Sequence, residues 1–241
     1  MTAYYNECNA IPAMVLRDLM DEGLIMDGVV DERSIVEVQP ADLSGFARCH
    51  FFAGIAGWEV ALRLAGWPAD RPVWTGSCPC QPFSVAGKRA RQSDERHLWP
   101  HLHRLARECR PATILGEQVT GAITAGWLDD AFADLEAEAY ACAAAVLPAA
   151  SVGAPHDRPR VWFVADAQRD QREQSRHGTA GRMGRVEQPV SWDRDWESAL
   201  RDFRVVDDGL SYVVGATDTA RNAIVPQVAA QFIAAYMECR L

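Results

Sequence analysis

Short apolar runs that alternate with helical segments constrain the fold of this chain more than any other feature. Strand-like runs are predicted at residues 3–5, 34–38, 49–52, 72–75, 113–119, 142–146 and 161–164. Helices are predicted at residues 13–22, 58–64, 98–109, 129–139 and 224–237. This alternation is typical of a mostly parallel sheet with helices on both faces. The sequence therefore predicts an α/β fold rather than a helical bundle.

The composition is that of an ordinary globular protein. The 241 residues are 49% apolar and 24% charged, which suits one full α/β core with room for at most a small second lobe. No apolar run reaches membrane-spanning length, and no signal peptide opens the chain. The seven cysteines are scattered and odd in number, which indicates a reducing compartment rather than a disulfide framework. We therefore expect a cytoplasmic protein that makes no membrane contact.

Positive charge gathers in a few short segments of an otherwise acidic chain. The net charge of −9 argues against a nucleic-acid partner unless basic residues are concentrated locally. They are concentrated at residues 88–91, at Arg158 and Arg160, and over residues 169–204. Lys88 is the only lysine of the chain, and arginine suits the bidentate binding of phosphate. A GC-rich genome would produce the same preference for arginine, so both explanations stay open.

The tripeptide Pro79-Cys80-Gln81 places a cysteine directly after a predicted strand. Pro79 and Pro82 restrict the backbone on either side of that cysteine. A thiol held at the end of a strand, where it can meet a ligand, has the setting of a nucleophile. A structural cysteine and one half of a Cys-x-Cys metal site are the alternatives. Zinc would need two further ligands, and no second Cys/His pair has the usual spacing, so we expect no metal.

Five segments together resemble the DNA cytosine-5 methyltransferase family. Residues 51–57 resemble its glycine-rich cofactor turn, and residues 79–81 match its nucleophile motif. Residues 117–119 resemble its Glu-Asn-Val motif with Gln in place of Asn, and residues 156–160 resemble its Gln-x-Arg-x-Arg motif. Residues 222–225 resemble its C-terminal Gly-Asn-Ala/Ser-Val segment. Each segment is weak alone, and their common order identifies the chain as a member of the family.

The resemblance implies a Rossmann-like, S-adenosylmethionine-dependent fold that methylates C5 of a cytosine flipped out of double-stranded DNA. Cys80 would add to C6 of the base, and Glu117 would hold N3 and the exocyclic amine. Arg158 and Arg160 would bind the flipped base and its phosphate and would orient Glu117. The implied protein is a monomer in the cytoplasm of a bacterial cell or of a phage-infected host.

The resemblance also assigns residues to the cofactor and to DNA. The residues implied for the cofactor are Phe52, Ala53, Gly54 and Gly57 in the turn, Glu7 on the ribose hydroxyls, and Arg221 and Asn222 near the C-terminus. The residues implied for DNA are Gln81, which follows the nucleophile, and Ser84, Lys88, Arg89 and Arg91, in a loop over residues 83–95 that would close over the duplex. Trp58 has two interpretations, a stack on adenine or a core side chain.

The spacing between two motifs indicates an unusual chain order. Only 27 positions separate Phe52 from Pro79, too few for the two strands and one helix that the family has there. Residues 4–7 resemble the acidic strand end that binds the cofactor ribose, and residues 28–38 resemble the next strand. Residues 1–48 would thus supply those strands, so that the second and third strands precede the first in a catalytic domain over residues 1–166. An unrelated N-terminal extension is the alternative.

The remaining residues are assigned to two smaller regions. Residues 167–215 would form a small arginine-rich target-recognition lobe, whose shortness predicts a short recognition sequence or loose specificity. Residues 216–241 would return to the catalytic domain as a helix. So compact a chain fits a bacteriophage or mobile-element gene, by analogy alone.

Two positions depart from the family pattern and leave the methyl donor open. Val29 stands where the family usually has an aspartate for the adenine amine, and Asp27 or Asp31 would have to replace it. Arg221 stands where a glycine normally precedes the asparagine. Arg221 either pairs with a carboxylate on a carboxylated S-adenosylmethionine, giving 5-carboxymethylcytosine, or turns outward to solvent or DNA.

Two other functions are compatible with the sequence. A catalytically inactive relative would bind DNA without turnover, although the presence of Cys80, Glu117, Arg158 and Arg160 argues against it. An enzyme that acts on free cytosine nucleotides would account for the acidic surface and the small recognition region. Activity on dCMP compared with activity on duplex DNA separates this nucleotide-modifying enzyme from a DNA methyltransferase.

Overall fold

The computed structural model describes residues 1–79, 98–167 and 223–239. Its strands are β1 (Ala3–Asn6), β2 (Gly28–Asp31), β3 (Arg48–Phe51), β4 (Val73–Gly76), β5 (Thr113–Val119), β6 (Tyr140–Leu147) and β7 (Arg160–Ala167). Its helices are α1 (Ala10–Asp21), α2 (Gly57–Leu64), α3 (Trp99–Cys109), α4 (Gly121–Thr124), α5 (Trp127–Ala137) and α6 (Pro226–Glu238). Two short 3-10 helices are found at Pro40–Leu43 and Ala149–Val152. Over the described ranges, no helix is both long and apolar enough to cross a membrane.

All seven of these strands lie in one sheet, in the spatial order β2-β1-β3-β4-β5-β7-β6. The strands from β2 to β5 pair in parallel, whereas β7 is antiparallel to both β5 and β6. The predicted α/β class, a mostly parallel Rossmann-like sheet, is therefore confirmed. β1 and β2 come first in the chain but lie outside β3, so strand order in space differs from order in the sequence. The carboxyl ends of the parallel strands meet at one edge, where α/β proteins place their ligands.

Helices cover both faces of the sheet because alternate strand residues point to opposite sides. On one face, Trp162 and Val164 of β7 pack with α2 and α6 around Trp58 and Phe232. On the other face, Phe163 of β7 packs with α3 and α5 in a second core cluster. The sheet thus separates two apolar layers.

A buried polar cluster fixes α2 to the sheet. Arg48 Nη1 donates to Glu59 Oε1 at 2.6 Å, and His50 lies between Glu59 Oε2 at 3.2 Å and Thr75 Oγ1 at 2.8 Å. Burial alone would raise the pKa of Glu59, but the bonds from His50 and Arg48 hold that pKa below its ordinary value. The carboxylate is therefore charged and paired, and it anchors the first turn of α2 over β3 and β4.

One predicted strand is wrong. Residues 34–38 contain a turn, and the strand lies earlier, at Gly28–Asp31. Ile35 and Val38 are buried in the core while Val36 is 46% exposed, so the apolar contacts of this segment do not follow the period of two of a strand. The other predicted elements agree with the structure within a few residues. The predicted recognition lobe at 167–215 lies, apart from Ala167, outside the described residues.

Candidate active site

A cleft of about 480 Å³ opens at the carboxyl edge of the parallel strands. This volume falls in the range of pockets that hold small ligands. Residues from six separate parts of the chain line it, within 7–12, 52–58, 77–79, 117–119, 158–160 and 223–224. All five segments singled out by their motifs contribute at least one described residue to this one cleft.

The glycine-rich turn after β3 forms one wall of the cleft. Phe52, Gly54 and Ala56 all have positive φ, so the backbone coils tightly before α2 begins. Gly54 N donates to Glu7 Oε2 at 2.8 Å, and Asn9 N donates to Glu7 Oε1 at 2.9 Å. The Glu7 carboxylate, which follows β1, is thereby held beside the turn, as expected if both bind one ligand.

Gly57 allows the C-terminal segment to approach the turn. A Cβ built on Gly57 would lie 2.6 Å from Ile224 Cγ1, closer than real side-chain contacts permit. Ala223 and Ile224 line the cleft just before α6. The segment just before α6 can therefore reach the cleft because Gly57, the first residue of α2, has no side chain.

Glu117 is placed in the cleft by the end of β5. The residue is 9% exposed, and Arg160 Nε lies 3.0 Å from its Oε1 atom. Burial raises the pKa of Glu117 above its ordinary value, while Arg160, Arg158 and a hydrogen bond from Ser77 oppose that rise. A buried carboxyl with a raised pKa, next to a cleft, is suited to hold or accept a proton from a bound ligand.

Arg158 and Arg160 face the same cleft from β7 and the loop before it. Arg158 Nη2 donates to Ala223 O at 3.0 Å, which ties this loop to the C-terminal segment. The backbone of Arg158 has a φ of +39°, an uncommon conformation for a residue with a side chain. Burial and the neighbouring Arg160 lower the pKa of Arg158. The structure thus brings both arginines and Glu117 together, and their catalytic roles stay predictions.

Gln118 connects the end of β5 to the segment that follows β4. Its Nε2 donates to Cys78 O at 3.0 Å, and its Oε1 accepts from Val119 N at 2.9 Å. The side chain is 3% exposed, so these bonds are made away from water. The sequence marked Gln118 only as a departure from a motif, because nothing local to it points to a partner 40 positions away.

Trp58 belongs mainly to the core. It is 3% exposed, packs edge-on against Trp162 at 5.6 Å between ring centroids, and donates its Nε1–H to Ser77 Oγ at 3.1 Å. Only a small part of the ring reaches the cleft, which favours the core interpretation over a stack on adenine. Ser77 itself carried no sequence signal that would have drawn attention to it.

Several predicted residues lie outside the described ranges. They are Cys80, Gln81, Ser84, Lys88, Arg89, Arg91, Arg221 and Asn222. Their described neighbours, Pro79 and Ala223, both line the cleft. The roles assigned to these residues stay predictions.

Asp27 and Asp31 do not line the cleft, so the structure does not support either as the replacement for Val29. Asp27 precedes β2 and lies at the amino edge of the sheet, where it caps its own strand through Gly28 N at 2.8 Å. Asp31 is at the correct end of β2, but it accepts from Tyr4 Oη at 2.6 Å and pairs with Arg33. Replacement by Asp27 is therefore wrong, because the strand direction places it at the opposite edge.

Gln118→Leu is expected to destabilise the protein by about 1–3 kcal/mol, because it removes the buried hydrogen bond from Gln118 Nε2 to the Cys78 carbonyl. Urea unfolding followed by circular dichroism measures the loss. Gln39→Leu is the matched control, since the Gln39 amide also donates to a backbone carbonyl, that of Glu37, but in an exposed position. Equal losses in the two variants would contradict the role given to Gln118.

Comparison with known proteins gives one family and several partial relatives. A family model described as C-5 cytosine-specific DNA methylase matches residues 67–194, which is more than half of the chain. The type II methyltransferase M.NgoMIV of Neisseria gonorrhoeae is 40% identical over 96 residues, covering 37% of this chain and 30% of the relative. The type II methyltransferase M.AgeI of Thalassovita gelatinovora is 33% identical over 133 residues, covering 53% of this chain and 31% of the relative.

The chain spans about a third of the length of these curated relatives. Among solved structures, it is similar to a crystal structure of a Spodoptera frugiperda DNMT2 mutant. The two chains are 18% identical with a TM-score of 0.48, over 73% of this chain and 45% of the other.

Proposed function

The chain belongs to the C-5 cytosine-specific DNA methylase family, and we propose that it transfers a methyl group from S-adenosylmethionine to C5 of cytosine in duplex DNA. The observation that carries the proposal is the pair formed by Glu117 and Arg160 in the cleft. Pro79, which directly precedes Cys80, lines that same cleft. The carboxyl, the cation and the first residue of the cysteine motif therefore line one space of ligand size.

The residues of the turn fit S-adenosylmethionine. The Glu7 carboxylate has four acceptor sites, of which two are used by backbone N–H groups, so it can still accept from two ribose hydroxyls. Its negative charge also complements a sulfonium cation. When bound, S-adenosylmethionine supplies an electrophilic methyl group. Phe52, Ala53 and Gly54 would hold it against the cleft, with Asn222 completing the site from the C-terminal side.

The cytosine is activated by Cys80 because C5 alone is a poor nucleophile. The Cys80 thiolate adds to C6, and the electrons of the C5–C6 bond become available at C5 while N3 gains a proton. Glu117 would hold that proton, because burial raises its pKa above the ordinary value while Arg160, 3.0 Å away, stabilises the carboxylate that forms when the proton leaves. C5 would then take the methyl group as the thioether of the donor leaves, and the C5 proton would pass to solvent water. N3 would return its proton to Glu117, and Cys80 would leave C6 as a thiolate while the double bond re-forms.

The DNA contacts in this proposal lie mostly outside the described residues. Residues 81–91 would lie over the duplex, and residues 167–215 would read the target sequence. Arg158 and Arg160 would contact the extruded nucleotide at the mouth of the cleft. The arrangement of β1 and β2 beside β3 supports a domain over residues 1–166 whose second and third strands come first in the chain. A carboxylated donor stays a prediction tied to Arg221.

Tritiated S-adenosylmethionine offered with duplex DNA, RNA and dCMP tests the proposal. We expect label in duplex DNA alone, as 5-methylcytosine in a nucleoside digest analysed by mass spectrometry. Glu117→Gln should lower kcat by about 10²–10³-fold, since it keeps the shape but cannot exchange the proton. Glu108→Gln, which changes an exposed glutamate on α3, is the matched control and should have wild-type kcat.

The failures of this experiment are distinct. Label in dCMP but not in DNA would replace the proposal with a nucleotide-modifying enzyme. DNA binding without label in any substrate would indicate a relative that has lost turnover. Full activity of Glu117→Gln would remove the carboxyl from the mechanism.

A further inference from the structure

The side chain of Ser77 lies beside that of Glu117 because of strand register. Gly76 of β4 and Gly116 of β5 are paired in the parallel ladder. The residues that follow them, Ser77 and Glu117, therefore occupy adjacent positions. Both side chains project from the face of the sheet that α2 covers, since side chains alternate along a strand. Both also line the cleft.

The Ser77 hydroxyl has a defined direction. The indole of Trp58 is a donor only, and its Nε1 lies 3.1 Å from Ser77 Oγ, so the hydroxyl oxygen is the acceptor in this bond. The single hydrogen of the hydroxyl is then available for the Glu117 carboxylate, which lies beside Ser77 through the strand register and whose pKa the Ser77 hydroxyl lowers. Trp58 is nearly buried and packed against Trp162, so it fixes the oxygen that it contacts.

From this geometry we propose that Ser77 is a positioning residue for Glu117, and that it sets the orientation and the proton affinity of the carboxyl in the proposed reaction. The inference rests on the proposed function. Glu117 is held by Arg160 on one side and by the Ser77 hydroxyl on the other, with Arg158 as the second cation that faces it. Ser77 also lies three positions before Cys80, so one hydroxyl couples the acid to the segment of the nucleophile.

Residues that flank or belong to three motifs therefore lie together around Ser77. Trp58 follows the glycine-rich turn, Ser77 precedes the cysteine motif, and Glu117 belongs to the Glu-Gln-Val segment. A Ser77 hydroxyl with a structural role alone would need only its bond with Trp58, and not a place beside the Glu117 carboxyl. A hydroxyl that donates to the carboxylate stabilises the ionised form and so lowers the proton affinity of Glu117.

The test compares Ser77→Ala with Ser77→Thr, which keeps the hydroxyl, and with Ser44→Ala, which removes an exposed serine hydroxyl elsewhere. Ser77→Ala is expected to lower kcat by about tenfold with KM for DNA unchanged within about twofold. The limb of the kcat–pH profile that Glu117→Gln abolishes should move to higher pH in Ser77→Ala. Ser77→Thr should retain the wild-type limb, and Ser44→Ala should match wild type in every respect.

A second measurement needs no activity. The carboxyl stretch of Glu117, isolated as the infrared difference between the wild type and Glu117→Gln, should titrate at higher pH in Ser77→Ala and at the wild-type pH in Ser77→Thr. An unchanged titration in Ser77→Ala would overturn the inference, as would equal shifts in the alanine and threonine variants. If no substrate is methylated but the carboxyl titration shifts as expected, the proposed function fails and the pairing of Ser77 with Glu117 stands.

Discussion

Cys80→Ala is expected to abolish methyl transfer to DNA, lowering the single-turnover rate by at least about 10⁴-fold. The reason is chemical, because without addition of a thiolate to C6 the C5 atom does not gain the electron density needed to take a methyl group. Binding should persist, since Glu7, the glycine-rich turn and both cleft arginines are unchanged. The measurements are the single-turnover rate and, in parallel, the affinity for S-adenosylmethionine by calorimetry.

Trapping with 5-fluorocytosine DNA identifies the cysteine directly. Fluorine at C5 cannot leave as a cation, so the covalent complex persists after methyl transfer and survives denaturing electrophoresis. We expect the complex in wild type and its loss in Cys80→Ala. Cys78→Ala is the discriminating control, because Cys78 lies two positions earlier but is 6% exposed. A complex that is lost in Cys78→Ala and kept in Cys80→Ala would reassign the nucleophile.

Gly116→Ala is expected to destabilise the fold by about 3 kcal/mol, the second largest effect. Gly116 is paired with Phe163 across the antiparallel ladder, and the Phe163 ring covers the glycine. A Cβ at Gly116 would lie 2.0 Å from Phe163 Cζ, so the ring would have to move. That ring packs against Trp99, Trp127 and Phe132, with centroids 6.1–6.5 Å away, so its displacement disturbs the whole aromatic cluster.

Urea unfolding monitored by tryptophan fluorescence gives the free energy of unfolding of this variant. Gly121→Ala is the matched control, since no atom lies within 4 Å of a Cβ built on this exposed residue of α4. It should be neutral or stabilising by up to about 1 kcal/mol, because alanine favours a helix. Phe163→Leu added to Gly116→Ala should recover part of the loss, since a smaller side chain makes room for the new methyl group. Additive losses in that double variant would contradict the proposed clash.

The predictions from sequence succeeded where information is local. The strand ends that carry Glu117 and Arg160 follow from apolar runs whose periodicity is complete within a few residues. The glycine-rich turn before α2 was likewise recognisable from consecutive residues. The wrong strand at residues 34–38 was also predicted from local sequence. Ile35 and Val38 are buried because other parts of the fold pack against them, and not because the segment is a strand.

The contacts that assemble the cleft join residues far apart in the chain. Glu7 reaches Gly54 across 47 positions, Gln118 reaches Cys78 across 40, and Ser77 joins Trp58 to Glu117. The sequence motifs identify the polar residues of the cleft but not the residues with which they form hydrogen bonds. Pairing is decided by which strands become neighbours and in what register.

By itself, then, the amino-acid sequence determined the α/β class and the family to which the chain belongs, because each depends on neighbouring residues and their chemistry. The reactive side chains that it proposes stay predictions. The motif spacing predicted that residues 1–48 supply strands of this sheet, with an unrelated extension as the alternative, and the tertiary structure places β1 and β2 outside β3. Only the tertiary structure decided that a half-buried hydroxyl lies beside Glu117 and that a buried amide donates to the backbone of Cys78. The physical reason is that strand pairing and burial bring distant segments into contact, and only contact sets which hydrogen bonds form and how strongly a carboxyl holds its proton.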